Sequence, residues 1–230
     1  MKVAILADIH ANIFALQAVI EDFRSDAVDH IIVAGDLVGY YYWPQPVVRL
    51  LMDDSRVTCV RGNHENLLKE TLDKGSAERH RLKYGSGYDA CWETLNVEEL
   101  DWLLNLPVSV ELEIAMSHFS IHHGSLRSVN EYVYPDAAEE TLIESHSHSD
   151  FTILGNTHFP LMHRHGEKIL LNPGSVGQPR DFGGHASYAL VSLPDKAVSF
   201  KRVPYDISEV IDSAKRRDPK IRYLREVLLR

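Results

Sequence analysis

Eight residues of this 230-residue chain whose side chains can bind metals or move protons occupy the same kind of position. Asp8 and His10 follow the apolar run Val3 to Ala7, Asp36 follows Ile31 to Ala34, and Asn63 and His64 follow Val57 to Val60. His123 comes after Ala115 to Ile121, and Asn156 and His158 come after Phe151 to Leu154. Each polar group thus ends a stretch that reads as a buried strand. The C-terminal edges of such strands are where open α/β sheets hold ligands. Asp8 and His10 are two residues apart, so extended backbone would point both the same way. Carboxylate, amide and imidazole donors gathered at one rim form a mixed oxygen and nitrogen set suited to a divalent transition metal.

The elements needed to hold these groups can be read in order. Asn12 can cap a helix in which Leu16, Val19, Ile20 and Phe23 recur on one face. Strand, helix, strand makes the first two strands parallel and puts Asp8 and Asp36 at the same end of the sheet. Pro44 and Pro46 punctuate Tyr40 to Trp43 before a short helix over Val47 to Met52, and Arg56 to Val60 is a third strand. Leu67 to Leu104 is helical with breaks at Gly75 and Gly85 to Gly87, and Asn96 with Glu99 makes a capping box. Strands then dominate, with hairpins turning at His165 to Glu167 and at Pro194 to Lys196, before two helices starting near Asp206 and Asp218. Early alternation and late hairpins predict an α/β fold with two packed sheets and helices on the outer faces, in one domain over residues 1–230.

Composition narrows the function classes. A 44% hydrophobic chain of this length buries a substantial core, and a formal charge of −9 argues against nonspecific binding to nucleic acid or an anionic membrane. Cys59 and Cys91 form neither a CxxC pair nor a disulfide framework, which suits a reducing compartment. The first apolar run is cut at Asp8, too short for a signal peptide or membrane span, so the expected location is cytoplasmic. The tract Ser145 to Ser149 precedes a strand and so belongs at the end opposite His158.

Asp8-Ile9-His10, Gly35-Asp36-Leu37-Val38-Gly39, Gly62-Asn63-His64, His123-Gly124 and Gly155-Asn156-Thr157-His158, in that order, resemble the calcineurin-like metallophosphoesterase superfamily. Arg61 to His64 and Asn172 to Arg180 look like its small prokaryotic phosphodiesterase branch. The resemblance runs from Met1 to about Tyr205 and implies a four-layer α-β-β-α sandwich of two mixed sheets around a dinuclear metal site. By its pattern Asp8, His10 and His158 are ligands of a first metal, Asp36 bridges, and Asn63 and His123 hold the second. His64 matches the catalytic histidine, protonating the leaving group as an imidazolium while a metal-activated hydroxide attacks phosphorus.

Relatives commonly carry Gly-His-x-His where this chain has Asn156, an amide donor weaker than imidazole, so the second metal position is expected to be the weaker one. His122 is a replacement ligand only if the backbone there is irregular. Mn, Fe, Zn, Ni and Co all fit such ligands. Arg180 and His185 are candidate phosphate contacts, and Tyr41 to Trp43 are candidates for a pocket wall or a contact between identical subunits. The implied activity is hydrolysis of a small or nucleotide-like phosphate ester, most simply a diester. Two alternatives stay open: a phosphomonoesterase or dinucleoside polyphosphate hydrolase, and a non-catalytic protein-binding scaffold such as one retromer subunit with this fold.

Overall fold

The computed structural model describes the backbone of residues 1–230 and every side chain except those of Arg24 and Ser25. Its centre is a pair of five-stranded mixed sheets. The first has the order β10-β9-β1-β2-β3, from β1 (Lys2–Leu6), β2 (His30–Ala34), β3 (Val57–Val60), β9 (His185–Ser192) and β10 (Ala197–Pro204). The second has the order β4-β5-β6-β8-β7, from β4 (Val110–Ile114), β5 (Ser117–Ile121), β6 (Phe151–Ile153), β7 (Pro160–His165) and β8 (Lys168–Pro173). The strands β1, β2 and β3 are parallel, as are β5, β6 and β8, so both sheets have a run of strands with C-terminal ends at one edge.

Alternation along the strands explains the layers. Val3 and Ile5 of β1 point between the sheets with Ile32, Phe119, Phe151 and Ile169, while Ala4 and Leu6 point outward to the helices. The rings of Phe119 and Phe151 stack at 4.6 Å in the middle of the interface. The outer face of the first sheet is covered by α1 (Ile13–Asp26), α2 (Pro44–Met52) and α6 (Val97–Leu104), whose apolar faces carry Leu16, Val19, Val47, Leu51 and Leu103. The outer face of the second sheet is covered by the short α7 (Glu139–Glu144) and the loop around Val133. The four-layer α-β-β-α sandwich is therefore present, with one outer layer much thinner than the other. Among the described residues no helix is long and apolar enough to cross a membrane.

Local signals placed most elements. Asn12 caps α1 by accepting from the Ala15 amide, and Asn96 and Glu99 form the expected reciprocal capping box. Several boundaries differ from the sequence expectation. The helix α2 begins at Pro44, because proline at the first helical position sacrifices no hydrogen bond. Asp218 does not start a helix; it is buried, and its carboxylate accepts from the Tyr42 hydroxyl and from the Ser86 amide and hydroxyl, tying the C-terminal segment to the body. The helical region 63–104 is four pieces, including α3 (Asn63–Glu70), α4 (Lys74–Tyr84) and α5 (Gly87–Thr94).

Truncating the stacked pair tests this layering. Phe119→Ala should lower the unfolding free energy by about 3–5 kcal/mol. Met116→Ala, in the exposed turn between β4 and β5, should stay within about 0.5 kcal/mol in the same denaturant titration. Equal effects would contradict the assignment of Phe119 to the inter-sheet core.

Candidate active site

The two sheets bring all eight predicted residues to one buried rim, but not by extended backbone. Asp8, His10, Asp36, Asn156 and His158 all have φ between 51° and 66°, a left-handed conformation that ordinary side chains adopt at a cost of about 1–3 kcal/mol each. Asp8 and His10 thus face the same centre through two tight bends. The bends are fixed by neighbouring backbone: the Asp8 amide donates to Gly35 O at 3.0 Å and the His10 amide to Asp36 O at 3.0 Å. Gly35 is required here, since a Cβ on it would lie 2.7 Å from both the Gly62 nitrogen and the His123 ring.

Three imidazoles are oriented in one way. His10 Nδ1 lies 3.1 Å from Val38 O, His123 Nδ1 2.6 Å from Ala34 O, and His158 Nδ1 2.7 Å from Gln178 O. A carbonyl can only accept, so each Nδ1 carries the proton and each Nε2 presents a lone pair inward. Those lone pairs meet other acceptors. His10 Nε2 and His158 Nε2 are 3.1 Å apart, and Asp8 Oδ1 lies 3.8 and 3.4 Å from them. His123 Nε2 is 2.9 Å from Asn63 Oδ1 and 3.3 Å from Asp36 Oδ2. Asp8 Oδ1 is buried and has no hydrogen-bond partner. In their deprotonated forms these groups are acceptors packed against acceptors, a donor set of the kind that fits divalent transition metals.

Charge in the metal-free site follows. Burial pushes His10 and His158 well below the usual imidazole range, so both are neutral. Burial also opposes charge on His123, yet the Asp36 carboxylate beside it wins and pushes it up to about 10. A proton there stands where a cation would sit. Burial pushes Asp8 up to about 8, while the imidazoles around Asp36, His123 foremost, outweigh burial and hold that carboxyl well below its usual range.

Asn63, Asp36 and Asn156 reach the rim by different means. The first residue of α3 is Asn63, and Asp36 Oδ1 accepts from the His64 amide at 2.8 Å, leaving Oδ2 toward His10, His64 and His123. The Asn156 amide donates Nδ2 to Glu131 O at 3.1 Å, which leaves Oδ1 as its ligating atom. His122 is outside the cluster: it bonds Ser120 at 2.9 Å on the far face of its strand, beside Glu111. The His146 ring pairs with His163 away from the site, and His185 rests on Gly183 O beside Phe182.

A pocket of ≈ 280 Å³ opens onto the cluster, with Tyr40, Lys83, Tyr84, Tyr132, Arg180 and Tyr223 in its walls beside Asp36, Asn63, His64, Asn156 and His158. Arg180 Nε donates to the Tyr223 hydroxyl at 3.1 Å, and among the described residues no carboxylate pairs with its guanidinium. Tyr40 therefore lines the pocket, whereas Tyr41 and Tyr42 are buried against the C-terminal helices and are neither pocket wall nor subunit contact.

The residue order alone did not disclose Glu65, Tyr88 and Tyr223. Buried Glu65 accepts from the amides of Gly62, Leu37, Val38 and Asp36 at 2.7 to 3.2 Å and so clamps the loop carrying Asp36. Burial and the nearby Asp36 charge push Glu65 up to about 7, while those amides favour its ionised form. Its signal was present as a glutamate three residues after Gly62, a capping-box spacing. Tyr88 Oη lies 2.6 Å from His64 Nδ1, and nothing in the local sequence marks either it or Tyr223.

Metal uptake should release protons. A ligand must be deprotonated to coordinate, and at pH 7 the metal-free site holds protons on His123, pushed up to about 10, and on Asp8, pushed up to about 8. Titrating Mn or Zn into weakly buffered protein at pH 7 should release at least one proton per chain. Affinity should rise about tenfold per pH unit for each proton displaced and level off above about pH 10. Binding without acidification would contradict this protonation scheme.

The chain has relatives throughout its length. A model of the calcineurin-like phosphoesterase superfamily domain matches residues 1–196. An uncharacterized protein of Methanocaldococcus jannaschii is 31% identical over 231 residues, covering 91% of this chain and 90% of its own. The crystal structure of a metallophosphoesterase from Sphaerobacter thermophilus is similar with a TM-score of 0.81 and 28% identity, over 100% of this chain and 99% of that one. A hypothetical protein from Pyrococcus horikoshii has the same fold, with a TM-score of 0.82 at 21% identity over 99% and 97% of the two chains. With the ligand-type cluster at the rim of its paired sheets, this chain belongs to the calcineurin-like phosphoesterase superfamily.

Proposed function

We propose that the protein is a metal-dependent phosphoesterase, acting on a small or nucleotide-like diester at a dinuclear centre. The observation that carries this reading is the buried convergence of Asp8 Oδ1 and the inward lone pairs of His10, His123 and His158 around Asp36. Asp8, His10 and His158 would hold one ion, Asn63, His123 and Asn156 the other, and Asp36 would be shared. Divalent ions there supply Lewis acidity toward phosphoryl oxygens and hydroxide at neutral pH. The similar Sphaerobacter protein is named a metallophosphoesterase, which is consistent with this reading.

The chain's own residues supply the rest. Asp36 keeps the two ligand groups together and offsets their charge. His64 lines the pocket with Nε2 3.9 Å from Asp36 Oδ2, where it would meet a bound ester's leaving oxygen. Arg180, unpaired at the pocket wall, attracts the substrate's anionic group, and the rings of Tyr84, Tyr132 and Tyr223 exclude water from its organic part. A scaffold has no physical need for the left-handed bends that turn Asp8, His10 and His158 toward one centre.

Hydrolysis of bis(p-nitrophenyl) phosphate and p-nitrophenyl phosphate with Mn, Zn, Ni, Co or Fe tests the reading. Diester turnover that requires metal supports it, and no turnover of either ester at saturating metal would reject it. Asp36→Asn should remain folded and lose at least about 10³-fold in turnover, because a neutral amide cannot offset two adjacent cations. Wild-type turnover in that variant would remove Asp36 from the bridging position.

A second prediction concerns Asn156. One dication against Asp8 and Asp36 leaves a neutral site, while two leave a positive one that attracts a phosphodiester. Turnover should therefore rise with free metal after the first equivalent has bound, and Asn156→His should move that rise to lower metal concentration. Full wild-type turnover at one bound equivalent, unchanged in Asn156→His, would exclude a weak second position.

A further inference from the structure

Four imidazoles converge on the buried rim, and they differ in what their Nδ1 atoms meet. For His10, His123 and His158 the partner is a backbone carbonyl, which fixes Nδ1–H and leaves Nε2 as a lone pair. For His64 the partner is the Tyr88 hydroxyl, at 2.6 Å. A hydroxyl can donate or accept, and its surroundings settle which. Tyr88 is 2% exposed and among the described residues has no other hydrogen-bond partner. If His64 Nδ1–H donated to it, the phenolic proton would be buried with no acceptor, a loss comparable to a broken buried hydrogen bond. Donation from Tyr88 satisfies both groups. Nδ1 is then the acceptor, and a neutral ring must carry its proton on Nε2.

The ring has no room to turn over. A Cβ on Gly39 would lie 2.2 Å from His64 Nδ1, so the imidazole packs directly on that glycine's backbone. Tyr40, Tyr84 and Tyr88 enclose it, with ring centroids at 4.8, 5.0 and 5.8 Å. The backbone is held as well, by the His64 amide donating to Asp36 Oδ1 at 2.8 Å. Burial pushes the Tyr88 phenol well above its ordinary range, in keeping with a proton that stays on its oxygen.

We propose that Tyr88 is a positioning residue that holds His64 as the neutral Nε2–H tautomer, making His64 a fixed hydrogen-bond donor into the pocket and neither a metal ligand nor an imidazolium acid. The structural part stands on Tyr88 and His64 alone, while the catalytic part rests on the phosphoesterase reading above. His64 Nε2–H hydrogen-bonds the leaving oxygen as the P–O bond lengthens, and the proton remains on nitrogen. The departed oxygen takes its proton from water, and His64 ends the turnover as it began. This differs from the imidazolium implied by the family resemblance, and the difference lies in the hydroxyl behind the ring.

The test joins spectroscopy to kinetics. In metal-free wild type, the nitrogen chemical shifts of His64 should show a protonated Nε2 and an acceptor Nδ1, and Tyr88→Phe should move the Nδ1 resonance. A protonated Nδ1 in wild type overturns the proposal. With an alkyl leaving group, Tyr88→Phe should lower kcat about 10–100-fold, leaving KM and bound metal unchanged. In a His64→Ala background the same change should matter less than about twofold. His64→Gln, whose side-chain amide donates from nearly the same place and cannot titrate, should retain more turnover than His64→Ala. Equal Tyr88→Phe losses in both backgrounds, or a glutamine no better than alanine, overturn the donor role. If wild type hydrolyses no ester while His64 shows the Nε2–H tautomer, the phosphoesterase reading falls and the tautomer assignment stands.

Discussion

The constraint on which the rest of this structure depends is electrostatic. The Nε2 atoms of His10, His123 and His158, together with the oxygens of Asp8, Asp36 and Asn63, point at one buried volume, and the Nδ1 protons of the three rings are directed away from it. Burying such a set uncompensated is unfavourable, since charge and unsatisfied acceptors both lose hydration. Left-handed backbone at Asp8, His10, Asp36, Asn156 and His158 adds to the cost. Divalent cations bound among these groups would relieve that cost.

The surrounding structure can be understood as what holds those groups still. Parallel β1, β2 and β3 deliver three loops to one edge, and the parallel strands β5 and β6 of the second sheet deliver the two remaining loops with ligand-type residues opposite. The rings of His10, His123 and His158 are each anchored by a backbone carbonyl of a neighbouring segment, so their orientation is set by the fold itself. Glu65 performs the same service for backbone, gathering four amides around the Asp36 turn. The C-terminal segment beyond residue 196, outside the matched family domain, then closes one side of the pocket, with Asp218 as its tie and Tyr223 steadying Arg180.

The fold and the ligand-type residues were legible in the sequence because both depend on local pattern. Apolar runs ending in Asp, Asn or His mark strand ends, Asn12 and the Asn96–Glu99 pair mark helix starts, and turn residues mark the hairpins. What escaped depends on tertiary contact. Period-2 alternation gave the right side for Asp8 and His10 but for the wrong reason, since two bends and not an extended strand aim them. The aromatic run at Tyr40 looked like one surface, yet Tyr40 faces the pocket while Tyr41 and Tyr42 pack on helices contributed by residues some 170 positions later. Tyr88 and Tyr223 carry no local mark, because their importance comes from His64 and Arg180, which only the folded chain brings beside them.

The most direct measurement is anomalous diffraction from crystals equilibrated with Mn or Zn. The account expects two anomalous peaks flanking Asp36, one among Asp8, His10 and His158 and the other beside Asn63, His123 and Asn156. His64 should lie outside both coordination shells. An absence of metal from this rim at saturating concentration, or His64 Nε2 bound directly to an ion, would contradict it.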